Sequence, residues 1–413
     1  MAEPTEILDV VVIGAGFCGL GAGASFVTAG VKNFAILEQG DGVGHFWSRT
    51  YDRIHLHSPW HDLPRDGGAI AHYPMYKSRD ELLRYFREYA AHYNLGEHLR
   101  FGQHVKRISR DRSGPAEWSI ETDDTVLGAR YVAIATAANR TPIIPEIAGR
   151  ERYQGRLLHS AHYRNAQAFA GQKVLVIGSG NSAAEISVDL LEGGAASVQM
   201  WVRGARHFIP LRSMTRLFRL FRRLGLFTPG KMDQSHEITS GTEEFDKLVR
   251  QRDFLPRFFS ADLSRFGIRK PERGPMVETY ATRRIPVFDQ GAIPRIRRME
   301  IGVIDGNVRP IIELTAGGVR FGRTGEERFD AIVLATGFAP SLGQFLAHPE
   351  MLSSAPGPRL NFPVTDGRSR STVHPTAFFP GFDLSVNGGH SLGRWGWEAG
   401  ERIAAELHGG AQR

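Results

Sequence analysis

The residues in this sequence that most clearly indicate chemistry are glycines at two turns. After the apolar run VVVI, Gly14, Gly16 and Gly19 have the spacing G-x-G-x-x-G. In such a turn the first glycine permits a tight bend, the second lets the backbone approach a pyrophosphate, and the third lets the helix pack on the strand. Glu38 follows at the end of the next apolar run, where a carboxylate can accept hydrogen bonds from ribose hydroxyls. This segment therefore predicts a dinucleotide site at the start of a helix.

The second turn follows the apolar run VLVI and differs at the acidic position. Gly178 and Gly180 begin a G-x-G-x-x-A pattern, and Arg203 stands where the first segment has Glu38. A guanidinium pairs with a 2′-phosphate that a carboxylate would repel, so this turn predicts a preference for NADPH over NADH. Arg206 is a second candidate for that contact. The alternative is that Arg203 is a solvated surface arginine.

Two dinucleotide turns in one chain predict two nucleotides. A flavin is the natural partner of NADPH, because it can pass the electrons of a hydride on singly or to oxygen. FAD rather than FMN is expected at the first turn, since that turn binds a pyrophosphate. Asn181 and Ser182, at the start of the second helix, are expected to bond the pyrophosphate or the nicotinamide side. Trp47 is expected either against the flavin or in the core.

The elements around the turns predict an α/β fold with two dinucleotide-binding, Rossmann-like domains. The expected NADPH-binding domain spans 166–325 and is inserted between two parts of the FAD-binding domain, 1–165 and 326–413. Within it, residues 204–295 are expected to be an irregular, helical insertion. The segment 78–94 has helical spacing and begins with a capping box, S-x-x-E.

Composition limits the class of protein. The 413 residues are 41% hydrophobic and 23% charged, as in soluble globular proteins, and exceed what one ordinary core holds. The single cysteine, Cys18, excludes an intramolecular disulfide, a CxxC zinc site and the paired thiols of disulfide reductases. We therefore predict no metal site and, by default, a reducing, cytoplasmic location.

Charge and targeting patterns exclude further classes. The amino terminus is acidic, so no secretory signal is predicted. The formal charge of +7 comes without a nucleic-acid motif, and pockets for an anionic cofactor explain it as well. The segment 211–227 has five arginines and no acid, with an apolar face opposite a basic one. It is predicted either to cap the active site or to make a weak membrane-surface contact. No pattern indicates an oligomeric state.

A segment between the two turns resembles a known signature. In YQGRLLHSAHY (153–163), Tyr153, Gly155, His159 and Tyr163 match the pattern F-x-G-x(3)-H-x(3)-[F/W/Y] of class B flavoprotein monooxygenases, with a tyrosine in first position. The segments FWSRTYDRIHLHSPW, GSGNSAAEIS and FDAIVLATGF are similar to the YUCCA-type branch of the flavin-containing monooxygenases. The resemblance covers nearly the whole chain and is weakest in 204–270 and 340–380.

Four positions depart from the usual family pattern. Ala137 stands where the family ends a strand with A-T-G, and His45 replaces the second glycine before a tryptophan. His57 occupies a position where many flavin-containing monooxygenases have asparagine beside the flavin, whereas the YUCCA-type branch has histidine. Tyr163 replaces the tryptophan of the Baeyer–Villiger branch, which disfavours that branch.

The resemblance implies a reaction cycle. NADPH reduces FAD, oxygen adds at the flavin C4a, and the peroxyflavin transfers one oxygen atom to a small organic substrate. YUCCA-like resemblance suggests oxidative decarboxylation of a 2-oxo acid, and N- or S-oxygenation stays open. The alternatives are Baeyer–Villiger oxidation of a ketone, an NADPH-dependent flavoprotein reductase that passes electrons to a carrier, and a flavin-containing sensor or regulator.

The resemblance also suggests roles for individual residues. His57 is the candidate catalytic group beside the flavin, since a neutral imidazole can both donate and accept a hydrogen bond. The alternative is that it satisfies a local backbone group. His159 and Tyr163 either position NADPH or form a hinge between the domains. The further positions expected to contact the cofactors are Gln39, Val105, Thr136, Thr336 and Gly337.

Overall fold

The apolar runs before the two glycine turns form strands at the centres of two different sheets. The computed structural model of this protein describes residues 3–57, 63–74, 76–110, 116–138, 140–223, 243–322, 325–357, 360–383 and 392–410. The strands are β1 (Glu6–Ile13), β2 (Phe34–Leu37), β3 (Leu99–Arg100), β4 (Arg107–Arg110), β5 (Trp118–Glu121), β6 (Val126–Ile134), β7 (Thr141–Pro142), β8 (Arg156–His159), β9 (Lys173–Ile177), β10 (Ser197–Val202), β11 (Phe208–Pro210), β12 (Val287–Asp289), β13 (Ile301–Asp305), β14 (Ile311–Leu314), β15 (Gly318–Phe321), β16 (Gly325–Arg328), β17 (Ala331–Leu334), β18 (Phe338–Ala339) and β19 (Ala377–Phe378). The helices are α1 (Phe17–Ala29), α2 (His45–Ser48), α3 (Arg79–His92), α4 (Asn181–Glu192), α5 (Leu211–Arg223), α6 (Glu243–Phe259), α7 (Pro275–Thr282), α8 (Ala292–Arg297) and α9 (Leu392–Gly410).

The first sheet has seven strands in the order β3-β2-β1-β6-β5-β4, and β19 pairs with β6 as well. Strands β1, β2, β3, β6 and β19 are parallel, whereas β4 and β5 are antiparallel. Strand β6 is long enough to pair with β5 along its first half and with β19 along its second half. The carboxyl ends of β1, β2 and β6 therefore meet at one edge of the sheet, where a ligand can bind.

The second sheet has five parallel strands in the order β13-β10-β9-β17-β8. Strand β9 lies at its centre and precedes the second glycine turn. The antiparallel strands β14, β15 and β16 form a small separate sheet, as do the pairs β11–β12 and β18–β7. The mixed α/β fold that the sequence predicts is confirmed.

Helices α1 and α9 pack closely beside the first sheet. A Cβ added to Gly396 would lie 1.9 Å from the carbonyl oxygen of Cys18, so only glycine permits this approach. The Cys18 thiol is buried and donates to the carbonyl of Leu392 at 3.0 Å, and burial raises the pKa of Cys18 to about 12. Its thiol is therefore kept protonated and unreactive.

Helix α3 confirms the predicted capping box. The Ser78 hydroxyl accepts a hydrogen bond from the Glu81 N–H, and the Glu81 carboxylate accepts one from the Ser78 N–H at 2.8 Å. The helix buries Leu82, Tyr85 and Phe86 on one face, as its apolar spacing predicts.

The segment 204–295 is more regular than the sequence indicates. Its described residues, 204–223 and 243–295, contain four helices, α5 to α8, and the strands β11 and β12. Two of these helices are short and contain proline, which interrupts the apolar periodicity that predicts helices from sequence.

Helix α5 packs against the rest of the protein through its first turn. Leu211 and Met214 are buried, and the Thr215 hydroxyl donates to Tyr76 at 3.1 Å. Arg212 and Arg216 are exposed. Residues 224–227 lie outside the described residues, and the membrane contact of 211–227 stays a prediction. No helix in the described part of the chain combines the length and apolar character needed to cross a membrane.

Candidate active site

The first glycine turn lies at the carboxyl end of β1. Gly14 has φ +104°, and its N–H donates to the Leu37 carbonyl at 2.7 Å, which ties the turn to β2. A Cβ on Gly19 would lie 1.8 Å from the Gly14 carbonyl oxygen, so the helix packs directly on the turn. Gly16 precedes α1 without a side-chain cap, and no described atom beyond its chain neighbours lies within 4 Å of the position its Cβ would take. The first N–H groups of α1 are thus available to an anion.

Two polar side chains flank this turn. The buried Glu38 carboxylate accepts hydrogen bonds from the N–H groups of Ala15, at 3.0 Å, and Gly40, at 3.1 Å. It therefore braces the turn, and its contact with a ribose stays a prediction. The Thr136 hydroxyl oxygen, after β6, is buried and has no hydrogen-bond partner within the described parts of the chain. A buried hydroxyl without a partner fits a site that a ligand completes.

The other three residues predicted for this site differ in exposure, and their contact with a cofactor stays a prediction. Gln39 is exposed and Trp47 is half-buried, with its ring at 6.5 Å from that of Phe17 in an edge-to-face contact. Val105 is buried in the core beneath the sheet. All three lie in the unit formed by the first sheet.

The second glycine turn repeats the geometry of the first. Gly178 has φ +149°, and a Cβ there would lie 2.3 Å from the Ala335 carbonyl oxygen at the end of β17. Gly180 precedes α4 without a side-chain cap, and no described atom beyond its chain neighbours lies within 4 Å of its Cβ position. The Asn181 amide donates to the Pro286 carbonyl at 3.1 Å and accepts from the Phe288 N–H at 2.8 Å. Its side chain therefore holds β12 in place.

The arginine that contacts this turn is Arg206. Its Nε lies 3.5 Å from the Ser179 hydroxyl, between the two glycines, whereas Arg203 is exposed. Burial, followed by the charge of Arg284, lowers the pKa of Arg206 to about 10. Two arginines that repel each other beside a glycine turn are a suitable partner for a doubly charged phosphate.

The segment 153–163, which matches the monooxygenase signature, lies at the edge of the second sheet and is hydrogen-bonded to it. His159 is buried; its Nδ1 accepts from the Ala161 N–H and its Nε2 donates to the Gly337 carbonyl, both at 3.1 Å. Burial lowers the pKa of His159, so the ring is neutral. Gly337 has φ +89°, and the neighbouring Thr336 hydroxyl donates to the Ile143 carbonyl at 2.5 Å.

The last residue of the signature lies against α4. The buried Tyr163 hydroxyl donates to the Asp189 carboxylate at 2.6 Å. Burial and the charge of Asp189 raise the pKa of Tyr163 well above its usual range, so this hydroxyl remains a donor. The residue joins the connection between the two sheets to the second glycine-turn helix.

A cluster that the sequence did not predict links α4 to the segment 51–57. The Glu185 carboxylate, buried on α4, pairs with His57 Nε2 and accepts a hydrogen bond from the Tyr51 hydroxyl at 2.8 Å. The His57 ring is nearly parallel to that of Phe288, with 6.3 Å between centroids. Tyr51 also interacts with Ser182, at the start of the helix. The sequence signal was present in the spacing of Ser182, Glu185, Asp189 and Glu192, which places all four on one helix face.

A second titratable cluster has metal-ligating residue types. Within the described residues, His348, Glu350 and His374 bring one ligand atom each within 4.8 Å of one another. However, His348 Nε2 accepts the N–H of Arg110 at 2.9 Å, so the hydrogen of this neutral ring is on Nδ1, which faces Glu350. To bind a metal beside Glu350, Nδ1 would need a free electron pair, but it carries the hydrogen. The hydrogen bonds thus indicate a structural network.

Comparisons with known proteins agree with this geometry. The family model for pyridine nucleotide-disulphide oxidoreductases matches residues 11–212. The indole-3-pyruvate monooxygenase YUCCA1 of Oryza sativa subsp. japonica is 34% identical over 348 residues, which cover 83% of this chain and 79% of that protein. The probable indole-3-pyruvate monooxygenase YUCCA1 of Arabidopsis thaliana is 31% identical over 363 residues, covering 86% and 81%.

A solved structure shares the fold. The crystal structure of OTEMO in complex with FAD and NADP superposes with a TM-score of 0.70 at 20% identity, and the match covers 99% of this chain and 86% of that one. The identity and coverage of the curated relatives show the family. The chain belongs to the YUCCA-type family of flavin-dependent monooxygenases.

Proposed function

We propose that this protein binds FAD and NADPH and uses O₂ to oxidise a small organic substrate, with a 2-oxo acid as the substrate class. The observation that carries the proposal is the repeated turn: two helices begin beside glycines without a capping side chain, and a half-buried arginine, Arg206, contacts the second turn. The relatives named as indole-3-pyruvate monooxygenases favour oxidative decarboxylation of a 2-oxo acid.

We assign FAD to the first sheet and NADPH to the second, as two Rossmann-like domains with the second inserted into the first. Strand β8 and strand β17 both pair within the five-stranded sheet. We therefore propose boundaries near residues 150 and 340, in place of 165 and 326. The unit that returns to the first sheet then includes β19 and α9.

The two turns fit the proposed nucleotides. The N–H groups at the start of α1 and α4 would hold the two pyrophosphates, and the Thr136 hydroxyl would gain a partner. Arg206 would bind the 2′-phosphate of NADPH. When bound, NADPH supplies hydride, and FAD supplies the capacity to activate oxygen. The protein must then exclude water and hold the proton donor beside the reacting atoms, a role we assign to His57.

The His57→Ala variant tests that role. We expect NADPH oxidation to continue while product formed per NADPH falls about tenfold or more, because proton management by a positioned side chain contributes at least that factor. The missing oxygen should appear as hydrogen peroxide. Oxygraph and peroxide assays measure both, and a fully coupled variant would remove His57 from the mechanism.

The deciding experiment for the function uses labelled oxygen. Purified protein is supplied with NADPH, isotopically labelled O₂ and, in parallel, an aromatic 2-oxo acid, a ketone, a tertiary amine and a thioether. We expect one labelled oxygen in the acid formed from the 2-oxo acid, with loss of carbon dioxide. Label in an ester indicates Baeyer–Villiger oxidation, and label in an N-oxide or sulfoxide indicates heteroatom oxygenation. Electron transfer without label in any product indicates a reductase and contradicts the proposal.

A further inference from the structure

Helix α4 has a buried carboxylate, Glu185, that is not part of either glycine turn. Glu185 lies one turn after the start of the helix and is 3% exposed. Both of its oxygens contact the segment 51–57, whose Leu56 packs in the core beside the first sheet and whose Tyr51 packs in the core beside the second. Oε1 pairs with His57 Nε2, and Oε2 accepts the Tyr51 hydroxyl at 2.8 Å. A single carboxylate on α4 therefore receives two side chains of a segment that contacts both cores.

The surroundings of Glu185 hold its carboxylate in place. A buried carboxylate is costly unless it is paired and hydrogen-bonded, and here both conditions are met. Burial, and then the charge of Glu185, raise the pKa of Tyr51 well above its usual range, so its hydroxyl remains a donor. The Gln290 amide, after β12, donates to Oε1 at 3.4 Å, and Ser182 and Asp189 of α4 interact with Tyr51.

We propose that Glu185 is a positioning residue for His57. It holds the imidazole by Nε2, which leaves Nδ1 as the nitrogen for any other partner. It also docks the segment 51–57 onto α4, one turn after the open helix start at Gly180. The first part of this inference rests on the proposed role of His57; the docking does not. Glu185 thereby sets where the histidine stands relative to both nucleotide turns.

Unfolding measurements test the docking without cofactor chemistry. Glu185→Gln keeps the shape and removes the charge, and we expect its melting temperature at about pH 6 to fall by about 3–6 °C. His57→Ala should lose a similar amount, and the double variant should lose clearly less than the sum, because the two groups stabilise through each other.

The matched control is Glu192→Gln. Glu192 lies two turns later on the same helix face and pairs with Arg53 and Arg295, and its side chain is 40% exposed. Exposed pairs contribute little, so we expect a loss below about 2 °C with no dependence on His57. Glu185→Asp, which keeps the charge and shortens the reach, should lose an intermediate amount and serves as the second variant.

The product formed per NADPH tests the positioning. Glu185→Gln should lower the product formed per NADPH in the same direction as His57→Ala, because the imidazole loses the carboxylate that holds it by Nε2. The KM for NADPH should change by less than about twofold, because the turn and Arg206 are untouched.

Two outcomes would overturn the inference: strictly additive melting losses, or a loss of product per NADPH that Glu192→Gln reproduces. If no substrate gains oxygen from wild-type protein, the proposed function fails, and the unfolding cycle still decides whether Glu185 docks the segment 51–57 onto α4.

Discussion

The Gly19→Ala variant is expected to lose its bound flavin and much of its stability. Alanine normally stabilises a helix interior relative to glycine by about 1 kcal/mol, but a Cβ here would lie 1.8 Å from the Gly14 carbonyl oxygen. Because that contact is backbone, no side chain can rotate away, and α1 must move off the turn. We expect the free energy of unfolding to fall by about 3 kcal/mol or more. Urea unfolding followed by circular dichroism measures the change.

Gly16→Ala is the matched control, since it adds the same methyl group in the same turn at a position where the methyl group meets no close contact. Gly16 has φ −96°, and no described atom beyond its chain neighbours lies within 4 Å of its Cβ position. The apoprotein should keep its stability to within about 1 kcal/mol. If the backbone at this position approaches the FAD pyrophosphate, flavin affinity should still fall about tenfold or more. Equal loss of stability in the two variants would contradict the packing role of Gly19.

The second large effect is expected at Arg206. Arg206→Ala should raise the KM for NADPH about 10- to 100-fold and leave NADH kinetics within about twofold, because a charge-assisted contact to the 2′-phosphate is worth about 1.5–3 kcal/mol. Steady-state flavin reduction with both nucleotides measures this. Arg206→Lys should be intermediate, since an ammonium keeps the charge without the planar fork.

Arg203→Ala is the control for that measurement. It also tests the prediction from the sequence that Arg203 pairs with the 2′-phosphate of NADPH. Its exposed side chain predicts less than about a threefold change in KM for NADPH. A large effect of Arg203→Ala together with a small one of Arg206→Ala would reverse the assignment. An unchanged NADPH preference in both variants would show that neither arginine reads the phosphate.

The glycine turns and the helix cap could be predicted from the sequence because the residues that form them are close together in the chain. A glycine triplet after an apolar strand specifies the turn, since the positive φ and the close helix packing exclude larger residues. The capping box of Ser78 and Glu81 is confirmed for the same reason: both partners lie within four residues. The signature at 153–163 predicted the family, which the curated relatives show.

The segment 204–295 resisted prediction because its short helices carry proline and basic residues, so their periodicity is weak. Likewise, strands β8 and β17 have apolar sequences that fit either sheet, and only hydrogen bonding to β9 and to each other assigns them to the second. The sequence of a strand does not indicate which distant strand it will pair with.

The sequence by itself thus determined the two glycine turns, the order of their expected nucleotides and the family. The tertiary structure decided which side chains serve those turns. Arg206 rather than Arg203 contacts the second turn, because the loop after β10 folds back against Arg284 from a distant segment. Glu185 meets His57 across 128 positions of sequence, a contact that exists only once the two sheets pack together. Such contacts depend on how distant elements are placed, and no local pattern encodes that placement.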